Sequence, residues 1–326
     1  MSGERPNQPE FSRPISGTAA GTTYLALPPT AVDARPAGPT RLIVVWPGLD
    51  PPRTAPAFAA AVPLTGVPTW RVFLDLPVTG GRPPAALVSG DLLDDAGVER
   101  YATIVEQAAT RVPAVLAGLR RDLGLSDGPI GLAGFSTGGA VALLTLAEAI
   151  VPVSTAAVVG PVIAPSRAAR FLEKRARRER AWSDRARDLA DRLDLGARAG
   201  DIAERGAPLL LIGGAKDRLV PPPEITALRD LLRRRGTAAV ESATFRMGHQ
   251  LTAEPGTRPL PPTTEAVRVD TVLTDWFRER LATVDARAPE PRPRRETAEH
   301  RPAQGPVPLH LEGSNLEPAS SAGPRT

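Results

Sequence analysis

Ile130-Gly-Leu-Ala-Gly-Phe-Ser136-Thr-Gly-Gly-Ala140-Val-Ala-Leu-Leu-Thr-Leu-Ala-Glu-Ala-Ile150 is the segment on which the fold turns. Ile130 to Ala133 is a short apolar run of strand character. Ala140 to Ile150 is rich in Ala and Leu and predicts a helix. Between them lies Gly134-Phe135-Ser136-Thr137-Gly138, a G-x-S-x-G pattern. A strand that turns sharply into a helix forces the central residue into a strained backbone. Small residues on both sides let strand and helix approach without Cβ clashes. The helix start behind Ser136 also offers unpaired N–H groups and the positive end of a dipole.

The same alternation extends outward. Tyr24 to Leu27, Arg41 to Trp46, Trp70 to Leu74, Thr155 to Val159, Pro208 to Ile212 and Ala239 to Phe245 read as strands. Between them run helical stripes. One is Tyr101, Ile104, Val105, Ala108, Val112, Val115, Leu116 and Leu119, with a kink expected at Pro113. Another is Ile225, Leu228, Leu231 and Leu232, capped by Gly236. A last one runs from Thr264 to Leu281. Strands alternating with helices predict an α/β fold: a mostly parallel sheet covered by helices on both faces. The domain is expected over 22–284. Residues 165–205 break the alternation, and Trp182, Ala186, Leu189, Ala190 and Leu193 make a helical stripe there, so a small helical cap insertion is expected. Residues 1–21 lack periodicity, and 285–326 are Pro-rich with little apolar mass. Both are expected to be disordered because they cannot offset the entropy of ordering.

Composition narrows the chemistry. The 326 residues contain no Cys and three His, which excludes disulfides, thiolate metal sites and a cysteine nucleophile and argues against a multi-histidine metal centre. No cofactor is expected. The net charge is +4, and residues 165–205 alone hold twelve Arg and Lys against eight Asp and Glu. The charge surplus is therefore local, and nucleic acid is not an expected partner. No apolar run reaches a membrane span, and no targeting segment is visible, so a cytoplasmic protein is expected.

A serine hydroxyl needs a base to act as a nucleophile. His249, in Arg246-Met-Gly-His-Gln250 just beyond a strand, is the only histidine inside the predicted domain. The base in turn needs a carboxylate to orient it. Asp217, after Pro208-Leu-Leu-Leu-Ile-Gly-Gly-Ala-Lys, is the leading candidate, with Glu241, Asp75 and Asp201 as weaker ones.

GFSTGG at 134–139, LLLIGGAKDRLVPP at 209–222 and MGHQ at 247–250 together resemble the α/β-hydrolase superfamily, over residues 40–284. The resemblance implies Ser136 as nucleophile, His249 as general base and acid, and Asp217 as orienting acid, in that family's chain order. It implies an oxyanion hole from the N–H of Thr137 and a second N–H in the loop Trp46-Pro-Gly-Leu-Asp50. Many members carry His-Gly there. Here Pro47 has no N–H, which leaves Leu49, then Gly48. Trp46, Phe135, Phe171, Leu172 and Trp182 are the candidate pocket residues. The cap cluster Arg170, Lys174, Arg175, Arg177, Arg178 and Arg180 is either a solvated face or an attractor for an anionic substrate. The expected substrate is a small carboxylic ester or thioester. An acyltransferase, a peptidase and a non-catalytic binding protein on the same scaffold remain alternatives.

Overall fold

Continuous runs of apolar residues form the central strands because both faces of the sheet are covered. In the computed structural model, which describes residues 13–31, 34–77, 88–237 and 239–284, eight strands lie in the order β1-β2-β5-β4-β6-β7-β8-β9. They are β1 (Ile15–Ala19), β2 (Thr22–Leu27), β4 (Leu42–Trp46), β5 (Trp70–Leu74), β6 (Ile130–Phe135), β7 (Val153–Val159), β8 (Leu209–Gly214) and β9 (Val240–Phe245). The pairs β1–β2 and β2–β5 are antiparallel, and the rest of the sheet is parallel. β3 (Ala34–Pro36) pairs separately with β10 (Ala282–Val284).

Side chains alternate across each central strand. Leu42, Val44 and Trp46 join one apolar cluster with Ile130, Leu132, Ala156, Val158, Leu209 and Leu211. Ile43 and Val45 join the other, with Ala133, Phe135, Ala157, Val159, Leu210 and Ile212. Helices α2 (Asp95–Thr110), α3 (Val112–Leu123), α4 (Thr137–Ala147) and α8 (Pro222–Arg234) contribute to the first cluster. Helices α1 (Ala55–Ala61) and α9 (Thr264–Leu281) contribute to the second. The expected fold class therefore forms. Within it, the kink expected at Pro113 is a full break, with α2 ending at Thr110 and α3 starting at Val112. Pro113 sits in the first turn of α3, where its missing N–H has no intrahelical partner to lose.

The N-terminal expectation needs correction. Residues 15–19 form β1 at the sheet edge, held antiparallel to β2. Ladder bonds and the burial of Ala19 supply what the polar sequence does not advertise. Residues 1–12 and 285–326, also expected to be disordered, lie outside the described residues. So does the second compact unit, 287–326; everything described belongs to the first, 1–286. No helix among the described residues is long and apolar enough to cross a membrane.

Residues 165–205 form α5 (Pro165–Ala176), α6 (Asp184–Arg192) and α7 (Ala199–Glu204). Much of their basic charge is committed to acidic partners. Arg178 pairs with Asp94, which caps the start of α2, and Arg185 with Glu99 at 3.1 Å and Arg192 with Glu106 at 2.8 Å, both on α2. Arg180 pairs with Glu173 at 3.5 Å. This narrows the expected anion-attracting cluster: two of its six cations are engaged, and the segment's charge docks it onto α2. Each exposed pair contributes little alone.

One buried cation holds the opposite end of the sheet. Arg71, on β5, is 2% exposed; it donates to Thr30 Oγ1 at 2.6 Å, Pro28 O at 2.6 Å and Leu64 O at 3.1 Å. Burial lowers its pKa to about 10, against the pull of Asp270. Arg71→Ala leaves these three acceptors without their donor, and is expected to cost about 3–5 kcal/mol. Urea denaturation measures it; a loss below about 1 kcal/mol would refute this role.

Candidate active site

The parallel strands all end at one edge, where ligands bind in open α/β sheets. Four loops meet there: those after β4, β6, β8 and β9. Ser136 ends β6 and starts α4, with φ +54° and ψ −115°. This backbone is strained and is held by its neighbours: Ser136 N–H donates to Val159 O at 2.9 Å, and Ser136 O accepts from Ala140 N–H and Val162 N–H. The glycines are required by approach distance. A Cβ on Gly134 would lie 2.1 Å from Gly138 O, and one on Gly138 would lie 2.3 Å from Trp46 O.

His249 and Asp217 sit on loops stitched together by the backbone. Ala215 N–H donates to Phe245 O at 2.7 Å, and Lys216 N–H to Met247 O at 2.9 Å. Asp217 is 5% exposed. Its Oδ1 accepts from Leu219 N–H at 2.8 Å and Val220 N–H at 2.9 Å, which fixes the carboxylate and aims Oδ2 at the imidazole. His249 Nδ1 lies 2.8 Å from Asp217 Oδ2, and His249 Nε2 lies 2.8 Å from Ser136 Oγ. The three residues singled out from the sequence therefore form one unbroken hydrogen-bonded chain. With Asp217 ionised, Nδ1 carries the proton and Nε2 is free to accept from the serine. Glu241, the competing acid, instead pairs with Arg280 at 2.9 Å. Asp75 accepts from Ala55 N–H at 2.7 Å. Asp201 pairs with Arg198 at 3.0 Å.

Burial alone would lower the His249 pKa. The attraction and hydrogen bond of Asp217, with a further contribution from Asp50, outweigh it and raise the pKa above that of an ordinary histidine.

Gly48 and Leu49 separate cleanly. Gly48 N–H donates to Pro52 O at 3.2 Å, so it is committed and drops out as an oxyanion donor. Among the described residues, neither Leu49 N–H nor Thr137 N–H donates to a backbone carbonyl. A Cβ built on Gly48 would lie 2.9 Å from Ser136 Cβ, so this loop runs directly beside the serine.

The pocket expectations fare less well. Trp46 is 1% exposed and packs in the first core cluster, because its position on a central strand points it into the layer between sheet and helices. Phe135 is fully buried against Phe58 in the second cluster. Its ring backs the His249 ring, with centroids 5.2 Å apart. Trp182 donates from Nε1 to Leu92 O at 2.9 Å and is covered by Arg180, so it anchors the α5–α6 connection. Phe171 lines a small crevice with Val162, Leu219 and Glu224. Leu172 lines a cavity of about 380 Å³ with Asp50, Ser89, Leu93, Arg175 and Gln250, whose lining includes none of Ser136, His249 and Asp217.

Asp50 was missed by the sequence reading. It lies directly after Leu49, and its Oδ2 is 3.8 Å from His249 Nε2. Its place next to the oxyanion loop was the available signal.

A parallel sheet with an antiparallel edge, a strained serine at the β6–α4 elbow and an acid and base on the loops after β8 and β9 define the α/β-hydrolase fold. Solved structures share it. TT1662 from Thermus thermophilus matches at 24% identity over 81% of this chain and 98% of its own, with TM-score 0.54. A Mycobacterium tuberculosis puromycin-hydrolyzing peptidase matches at 17% identity over 86% of this chain, with TM-score 0.57. The Pyrococcus horikoshii acylaminoacyl peptidase matches at 14% identity over 82%, with TM-score 0.55. The chain spans 41% of the length of each of these two peptidases. No protein-family model and no curated protein matches the sequence.

Proposed function

We propose that this chain is a serine hydrolase that cleaves a carboxylic ester or thioester through an acyl-enzyme on Ser136. The observation that carries the reading is the chain of two 2.8 Å contacts from Asp217 through His249 to Ser136. Ser136 Oγ attacks the carbonyl carbon while His249 Nε2 takes the hydroxyl proton, and Asp217 steadies the imidazolium. The N–H groups of Thr137 and Leu49 receive the developing oxyanion, and the positive end of α4 adds to them. His249 then delivers its proton to the departing alcohol or thiol. Water, deprotonated by the same nitrogen, attacks the acyl carbon and frees the acid and Ser136.

The test is hydrolysis of short and long acyl esters and thioesters, with peptides and anilides as the other arm, because two fold neighbours are peptidases. Ester or thioester turnover that vanishes in Ser136→Ala is expected. Cleavage confined to amides would replace this reading with a peptidase.

Because His249 must be neutral to accept the proton, and its pKa is raised, activity is lost as pH falls through that raised value. The acid limb of kcat/KM is expected to have its midpoint above the 6.5 of an unperturbed histidine. A midpoint below 6.5 would contradict the electrostatics of the site.

A further inference from the structure

We propose that Asp50 is a positioning residue for His249, a second carboxylate that holds the imidazolium from its Nε2 side. The proposal rests on the hydrolase reading, since it assigns a partner to the base of that reaction.

Asp50 Oδ1 accepts from Ser89 Oγ at 3.2 Å, which fixes the carboxylate. Its Oδ2 is buried, has no hydrogen-bond partner and lies 3.8 Å from His249 Nε2. The two side chains are 14% and 10% exposed, so water screens them weakly. A buried carboxylate oxygen without a donor is costly. Such a cost persists where a positive charge arrives during the working cycle. In the resting site Nδ1–H points to Asp217, and the Nε2 lone pair faces the serine, so Oδ2 receives nothing. Once Ser136 transfers its proton, Nε2 carries N–H⁺ and Oδ2 becomes an ion-pair partner. The interaction is therefore stronger in the charged intermediate than in the resting state, which is the condition for it to speed the reaction.

The other charged groups do not supply this partner. Asp217 faces Nδ1, on the opposite side of the ring. Around Asp50, Arg53 is paired with Glu254 at 3.1 Å, and Gln250 donates to the same Glu254 at 2.9 Å. Arg53, and Arg175 on α5, both line the cavity beside Asp50, and their positive charge opposes the effect of the Asp50 carboxylate from the rim.

The experiment compares wild type with Asp50→Asn in two readouts. One is the ring-proton titration of His249 by NMR in the full chain, assigned by its loss in His249→Gln. The other is the pH profile of inactivation by a fluorophosphonate. Removing the charge is expected to move the His249 midpoint down by about half a pH unit or more. The plateau inactivation rate is expected to fall about 3- to 10-fold. The two profiles then converge or cross at the acid end, which a merely structural defect would not produce. Asp50→Glu, which keeps the charge, is expected to restore most of the midpoint. If Asp50→Asn does not fold, Asp50→Ser carries the same test. An unchanged midpoint in a folded neutral variant would overturn the proposal. The NMR titration needs no turnover, so a wild type inert to the probe would count against the hydrolase reading and leave the Asp50 test standing.

Discussion

Ser136→Ala is expected to lower kcat/KM for any accepted ester by about 10⁴- to 10⁶-fold. The structure explains why this loss should be chemical and not structural. The Ser136 side chain makes one hydrogen bond, to His249 Nε2, while the strained elbow is held by backbone bonds to Val159, Ala140 and Val162. Alanine keeps every one of those bonds and the Cβ, so the melting temperature should move by no more than a degree or two. Steady-state kinetics and a thermal melt on the same sample check both halves. Residual activity above about 1% in a well-folded variant would remove Ser136 from the nucleophile's role.

Asp217→Asn should cost about 10⁴-fold in kcat, for a reason visible in the backbone. Leu219 N–H and Val220 N–H both donate to Oδ1, so the amide oxygen of an asparagine must stay there. Its NH₂ group then occupies the place of Oδ2 and faces His249 Nδ1. Two donors cannot face each other, so the imidazole must move its proton to Nε2. In that tautomer Nε2 has no lone pair for the Ser136 proton. The fold should survive, because the two loop-fixing bonds remain. The expected kinetic signature is a large fall in kcat with a small change in KM. A loss under about tenfold would mean that Asp217 does not orient the base.

The sheet and the candidate site were legible in the sequence because they rest on local rules. Central strands such as Leu42–Trp46 and Leu209–Gly214 are apolar at every position, which only two-sided burial explains. The elbow announces itself through glycines whose Cβ atoms would collide with carbonyl oxygens. With so few histidines, the base had few candidates. What escaped the reading depends on tertiary context. β1 alternates small and polar residues and is a strand only because β2 offers it a ladder. α1 is seven residues long, too short for a periodic stripe to register. Trp46 and Phe135 flank the candidate site in sequence, yet strand alternation turns both into core layers. Asp50 is one carboxylate among many until the fold sets it across the imidazole from Asp217. Gly48 and Leu49 could be separated only by the carbonyl of Pro52.

The most direct test of the central claim is intact mass after incubation with a fluorophosphonate, for wild type and Ser136→Ala side by side. The probe reports an activated serine without assuming a substrate. The geometry predicts a single adduct on wild type and none on the variant. No adduct on folded wild type, or an adduct that persists in Ser136→Ala, would contradict it.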